Sequence, residues 1–328
     1  MPGQLSDLVE DARLDTIFQL DLTTHTYHDS DPLAGQRTIL RKEHWRRKKR
    51  LGVGGFGTVW LEECDDANKS GKLRAVKEIK RPKNLVEYDR ELETLLKFSH
   101  RRYSRCFVRM SGWYHDDESI FIAMDYFPHG DLETYIRDSE GPLPEQEARD
   151  IVFQTLEGLA FMHRNRFAHR DLKPANILIQ SQPPQDWWVK LTDFGLSKYI
   201  QDSQASFSHR GGTTSYMAPE RHGFYASGHE SSRRLPLAGD MWSLGEISHV
   251  MMTKRHIFES IYDVFQFTEN GQKLPDLALR ESKATLEAIS FIRAVMMPAP
   301  EDRLTAEVAR RHPWMSNITL STHKSRRV

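Results

Sequence analysis

The sequence holds only two cysteines, Cys64 and Cys106, in 328 residues. Set far apart, they offer neither a disulfide framework nor a cysteine zinc site. An excess of charge is missing as well: 46 lysines and arginines balance 46 aspartates and glutamates. Bulk electrostatics therefore gives no reason to expect nucleic acid or an anionic membrane as a partner. Apolar runs such as Ile120 to Met124 are far too short to span a bilayer. Near the amino terminus Asp7, Glu10 and Asp11 stand where a secretory signal would need a basic start and an apolar stretch. An intracellular, reducing compartment is the expectation, cytoplasmic by default. The 15 histidines show no His-Glu-x-x-His or comparable ligand spacing, which argues against a metal-dependent hydrolase.

What is present is a globular composition, 38% apolar and 28% charged, in a chain long enough for one large or two moderate domains. Residues 1 to about 36 are acidic and show little sustained periodicity, so a disordered or loosely docked extension is expected, although Leu5, Leu8, Val9 and Ala12 could line a short helix. A basic run, Arg46, Arg47, Lys48, Lys49 and Arg50, leads into a glycine-rich segment. It reads as a solvated first strand, with a nuclear import signal as the alternative. From Leu51 to Ile79 alternation and turns predict strands. Leu85 to Phe98 reads as an amphipathic helix, and Phe107 to Phe127 as two more strands. Helical spacing then dominates, over Ala148 to Met162, Met241 to Met252 and Leu286 to Met297. Ser181 to Asp186 and Gly223 to Pro236 read as surface loops. The inferred architecture is α+β: a small strand-rich part with one helix, followed by a larger, mainly helical part.

Three segments carry chemistry. In Gly52-Val53-Gly54-Gly55-Phe56-Gly57-Thr58-Val59, glycines let a hairpin backbone approach phosphates with its amides as donors. No helix pattern opens after Gly57, so this is not a dinucleotide-binding fingerprint. One hairpin later comes Ala75-Val76-Lys77, where alternation puts Ala75 and Lys77 on one strand face. A lysine on an inward face needs an anion, because an unpaired buried charge is prohibitive. Glu91, on the next helix, is the candidate partner; in isolation the pair reads as an exposed lysine and a surface carboxylate, but after a glycine-rich hairpin the inward pair is the better reading. The third segment is His169-Arg170-Asp171-Leu172-Lys173-Pro174-Ala175-Asn176, a loop between a helix and the apolar run Ile177 to Ile179. Leu191-Thr192-Asp193-Phe194-Gly195 follows, with a second aspartate after a strand. The oxygen-rich pair Asn176 and Asp193 suits magnesium. Asp171 is then free to orient an attacking hydroxyl. Either aspartate alone is more commonly a cap or turn residue.

Taken together and in order, these segments resemble the eukaryotic protein kinase signature set. The likeness runs from about residue 45 to 315. It includes Gly211 to Glu220, similar to the end of an activation segment, and Asp240 to Gly245, similar to the start of a central helix. Arg303 stands where the family pairs an arginine with the glutamate matching Glu220, and His312-Pro313-Trp314-Met315 resembles the closing helix. The resemblance implies a bilobal kinase-like fold, with an N-lobe over about 45–124 and a C-lobe over about 128–315 of a domain at 37–315. Residues 1–36 and 316–328 are then an extension and a tail.

By that resemblance Gly52, Gly54 and Gly57 cover the phosphates of ATP, and Lys77, paired with Glu91, holds its α- and β-phosphates. Asp171 takes the proton of a substrate hydroxyl, Lys173 neutralises the transferring phosphoryl group, and Asn176 and Asp193 hold Mg2+. Val59, Ala75 and Leu178 match the apolar positions around adenine; Met124 matches the gatekeeper, Asp125 to Phe127 the hinge, and Asp131 a ribose contact. Ordinary core packing explains Val59, Ala75, Leu178 and Met124 equally well. Lys173 and Gly212-Thr213 resemble serine/threonine kinases, whose substrate is a protein, and the ending leans towards the calcium/calmodulin type. Ala175 gives no support for basic-peptide preference. Arg170 is of the kind that clamps a phosphorylated activation loop, which makes Ser206 or Ser208 the expected activating site, with Ser203 nearby and His209 near the usual phosphothreonine position. An inactive scaffold of the same fold would lack one of Lys77, Asp171, Asn176 and Asp193, and all are present. A small-molecule kinase is disfavoured by the Thr213 to Glu220 segment.

Overall fold

A computed structural model describes residues 6–31, 35–55, 57–66, 71–81, 85–193, 213–222, 235–269 and 273–316. The chain divides into two compact units, Met1–Tyr126 and Phe127–Val328.

The first unit is a single antiparallel sheet with two described helices. Its elements are α1 (Asp7–Asp11), β1 (Asp15–Phe18), β2 (Leu22–Asp31), β3 (Gln36–Gly54), β4 (Gly57–Cys64), β5 (Leu73–Lys80), α2 (Leu85–Ser99), β6 (Met110–His115) and β7 (Ser119–Asp125). The strands lie in the order β1-β2-β3-β4-β5-β7-β6. The two ends of that order meet. Leu14 donates its N–H to the Trp113 carbonyl at 2.8 Å, and Trp113 donates its own to Ala12 at 3.2 Å. The sheet is thereby closed, which removes an edge that would otherwise offer unpaired backbone groups.

Closure encloses an apolar cluster of Leu14, Val76, Tyr114, Phe121 and Ala123, with Tyr27 packed against it. Gly112, at φ +152°, sits under the Leu14 side chain, and a Cβ there would come within 2.7 Å of it. Beside the cluster lies a buried ionic group. The Arg74 guanidinium donates to Glu62 Oε2 at 2.6 Å and to His25 Nε2 at 2.7 Å, with the Trp45 ring 4.1 Å from its carbon centre. Its partners satisfy it, which burial of a charge requires.

The expected loose extension over residues 1–36 is corrected here. Residues 6–31 form α1, β1 and β2, and Val9 is fully buried. The signal was weak because these strands carry Thr, His and Asp instead of an apolar alternation, and the partners that bury them lie elsewhere in the chain. The basic run belongs to the long strand β3. Arg46 pairs with Asp21 at 2.7 Å and Asp65 at 2.9 Å, and Lys48 with Glu63 at 2.7 Å.

The second unit is mainly helical. It comprises α3 (Leu132–Asp138), α4 (Glu145–Arg164), a two-stranded ladder of β8 (Ile177–Ser181) and β9 (Trp188–Leu191), α5 (Leu235–Thr253), α6 (Ile261–Glu269), α7 (Leu277–Glu281), α8 (Leu286–Val295) and α9 (Ala306–Ala309). Helix α4 buries Ile151, Val152, Leu156, Leu159 and Met162, the face its spacing predicts. Gly239 to Met252 of α5 is buried all round, and α5 packs on both α4 and α8. The loop expected over Gly223 to Pro236 ends sooner: proline is tolerated in a first helical turn, and α5 already includes Pro236. Residues 223–234 lie outside the described residues. The α+β expectation, strand-rich first and helical second, is borne out.

Candidate active site

In the first unit the site residues are set by strand register. Val59 stands opposite Lys77, and Lys77 opposite Ile122; Leu61 faces Ala75, and Ala75 faces Met124. Opposed residues share a sheet face, so Val59 and Lys77 form one row and Ala75 and Met124 another. Val76 points the other way, into the enclosed cluster. Lys77 is 3% exposed, so the inward lysine expected from alternation is where the strand places it. Glu91 lies on α2, the helix that follows; its side chain is outside the described residues. Asp125, at the end of β7, pairs with Arg109 at 3.2 Å.

The hairpin joining β3 to β4 carries the glycines. Gly52 and Gly54 are exposed, and a Cβ at either would meet open space. Gly57 is different. At φ +119° a Cβ would lie 2.1 Å from the Glu78 carbonyl oxygen, so glycine alone fits there. Phe56 is outside the described residues.

In the second unit the constellation is held by side-chain anchors. Asp171 is the hub. Lys173 Nζ lies 2.9 Å from its Oδ2, and Asn176 Nδ2 donates to its carbonyl at 2.7 Å and to Oδ2 at 3.1 Å. Thr192 donates its N–H to the Asn176 carbonyl at 3.1 Å, which ties the residue before Asp193 to Asn176. Asp193 itself has φ +58° and Arg170 φ +67°, both rare for residues with side chains. Such conformations persist only where neighbours over-determine them. Here Asp240 accepts the N–H groups of His169 and Arg170, each at 2.8 Å, while Arg221 donates to the Arg170 carbonyl. His163 Nε2 lies 2.8 Å from the same Asp240 carboxylate. Pinned on both sides, the Arg170 peptide fixes where Asp171 starts.

His169 is fully buried, and burial holds its imidazole below the usual range, in keeping with a structural core residue. Glu220 and Arg303 form a buried two-pronged pair, 2.8 Å on each prong, as the resemblance implies. Asp131 caps α3 by accepting the Thr134 N–H at 2.8 Å and bridges to Leu178. Phe127 is buried. Thus Asp171, Lys173, Asn176, Asp193, Phe127, Asp131 and Leu178 belong to the second unit. Gly52, Gly54, Gly57, Val59, Ala75, Lys77, Glu91, Met124 and Asp125 belong to the first. Ser203, Ser206, Ser208 and His209 lie outside the described residues.

Asp240, His163 and Arg221 are the residues that the sequence reading did not assign. One signal was available for Asp240: a carboxylate inside the apolar run of α5 needs a polar reason to be buried. Arg221 and His163 gave none.

A protein kinase domain model matches residues 45–315. Among curated proteins the chain is 32% identical, over 83% of its length, to the serine/threonine-protein kinase RAD53 of Saccharomyces cerevisiae, of which it covers 33%. It is 30% identical to the serine/threonine-protein kinase cds1 of Schizosaccharomyces pombe, over 89% of this chain and 62% of that one. To the calcium/calmodulin-dependent protein kinase type 1 of Caenorhabditis elegans it is 31% identical, over 90% of this chain and 80% of that one. The chain therefore spans less than two thirds of the two yeast relatives. No helix among the described residues is long and apolar enough to cross a membrane.

Proposed function

Since the chain belongs to the eukaryotic protein kinase family, of serine/threonine type, we propose that it transfers the γ-phosphoryl group of ATP to serine or threonine hydroxyls of a protein substrate. The observation that carries this is the hydrogen-bonded cluster of Asp171, Lys173 and Asn176, anchored from below by Asp240. The substrate hydroxyl hydrogen-bonds to the Asp171 carboxylate, which takes its proton. The hydroxyl oxygen bonds to the γ-phosphorus as the bond to the β,γ-bridging oxygen breaks, and ADP leaves. Lys173, close enough to share Asp171, is placed to neutralise charge on the transferring group. Positioning and charge compensation supply most of the barrier lowering in such reactions. Lys77, paired with Glu91, takes the α- and β-phosphates, under a hairpin whose Gly57 admits no side chain.

Asn176 and Asp193 are assigned to magnesium. The donor chemistry fits: Asn176 uses Nδ2 on Asp171, which leaves its amide oxygen as a hard ligand, and the Thr192 contact keeps Asp193 close. When bound, the ion offsets phosphate charge. Adenine is assigned to Val59, Ala75, Leu178 and Met124, the hinge to Asp125 and Phe127, and ribose to Asp131. We assign the lobes to about 45–124 and 128–315, with residues 6–31 built onto the first. The catalytic domain is placed near the calcium/calmodulin type, and the compartment is taken as intracellular.

The test is ATP- and magnesium-dependent phosphorylation of a peptide library by the purified chain. Asp171→Asn is expected to lower kcat by about 10³-fold, within the range for a lost general base. Transfer surviving that substitution, or phosphate appearing mainly on tyrosine, overturns the reading.

A further inference from the structure

Helix α1 packs against α2, the helix that carries Glu91. It is fastened by Trp113, which is fully buried and donates its indole N–H to the Val9 carbonyl at 2.7 Å. Trp113 also makes the two backbone bonds to Ala12 and Leu14 that close the sheet. Register ties this residue to the catalytic lysine: Trp113 opposes Ile122, Ile122 opposes Lys77, and Lys77 opposes Val59. The four belong to one cross-strand row on one sheet face. On the opposite face Gly112 can have no side chain because Leu14 covers it. A single short segment therefore grips the end of the row that contains Lys77 and also touches the helix that contains Glu91.

We propose that Ser6–Leu14 is a strut that positions α2 on the sheet, with Trp113 as the positioning residue through which it acts on the Lys77–Glu91 pair. The role of that pair rests on the phosphotransfer reading above. The physical reason is leverage. A helix that joins a sheet at one end is free to swing unless something else fixes its flank, and α1 occupies that flank. Trp113 touches no substrate in this account. Its effect passes through α2.

The test compares the full chain with Trp113→Phe, which keeps an aromatic ring but removes the N–H that holds Val9 together with part of the buried ring. Backbone hydrogen exchange in α2 is expected to speed up by about tenfold while exchange in α4 is unchanged, as for loosening of one local unit. In phosphotransfer assays kcat should fall about fivefold with little change in KM for the peptide. The same substitution should cost nothing further in a Glu91→Gln background, since acting through one partner makes effects non-additive. Unchanged α2 exchange, or losses that multiply in the double variant, overturns the strut. Val9→Ala, a milder change at the same seat, is measured in parallel; it should show the same pattern with smaller size, and decides the matter if Trp113→Phe does not fold. A wild-type chain without transferase activity would sink the proposed function instead, and the exchange measurement would still decide whether the strut holds α2.

Discussion

The two units place their candidate site residues by different means. In the first, backbone register does the positioning: Val59, Lys77 and Ile122 align because three strands pair in one phase. In the second, the decisive loop is irregular, and Asp171 is located by hydrogen bonds to its neighbours from α5 and from Arg221. A ladder tolerates loss of a single side chain, since many backbone bonds share the task. A loop with φ +67° at Arg170 depends on a few anchors. The difference teaches where each unit is fragile: the second at its anchors, the first in its enclosed ionic core.

Three experiments break or sharpen that contrast. The largest effect is expected from Asp240→Ala. It strands two backbone N–H groups at about 1–3 kcal/mol each, and it releases the strained peptide before Asp171. Thermal unfolding should show the loss, and kcat should fall by about 10²-fold, as for a misplaced catalytic group. Activity unchanged in the folded variant would mean that the loop holds its form without the anchor.

Next is Arg74→Leu. Its partner Glu62 is 1% exposed and would be left as a buried, uncompensated carboxylate, at a cost of about 3–5 kcal/mol. Denaturant unfolding reads the loss. Replacing both partners together, Arg74→Leu with Glu62→Leu, should recover much of it. That recovery would show a core specified by pairing, with register left intact.

The smallest effect is on pH dependence. His25 is pushed down to about 3, first by burial and then by the Arg74 charge. Its ring is satisfied when neutral: Thr16 gives its own proton to the Leu14 carbonyl and accepts from Nδ1, while Nε2 accepts from Arg74. In the unfolded chain the ring protonates near its ordinary pKa of about 6.5. The unfolded state therefore binds the extra proton, and stability falls as pH drops from about 6.5 towards 3. At pH 5 the loss amounts to about 2 kcal/mol, from 1.5 pH units at ~1.4 kcal/mol each. A His25→Gln variant should flatten the stability profile across that window; an unaltered slope would assign the acid sensitivity to another group.

Most of the fold was legible in the sequence. Helix α4 announces itself by Ile151, Val152, Leu156 and Leu159, and β5 by the alternation around Val76, because burial on one side writes a period into the chain. The clustering of Asp171, Lys173 and Asn176 was legible too, since they sit within six residues and a local motif needs no folding to be read. Residues 6–31 were not. Their Thr23, Thr24 and His25 are buried by partners such as Arg74 and Trp45, tens of residues away.

The sequence by itself determined the elements with strong periodicity, the order of the motifs and the membership of the kinase family, because each is written in residues close together along the chain. Only the tertiary structure decided that the first sheet closes on itself through Trp113, that Asp240 and Arg221 hold the Arg170 peptide, and that α1 rests on α2. These depend on groups brought together from distant positions, and no local pattern records which buried polar atom will find which partner.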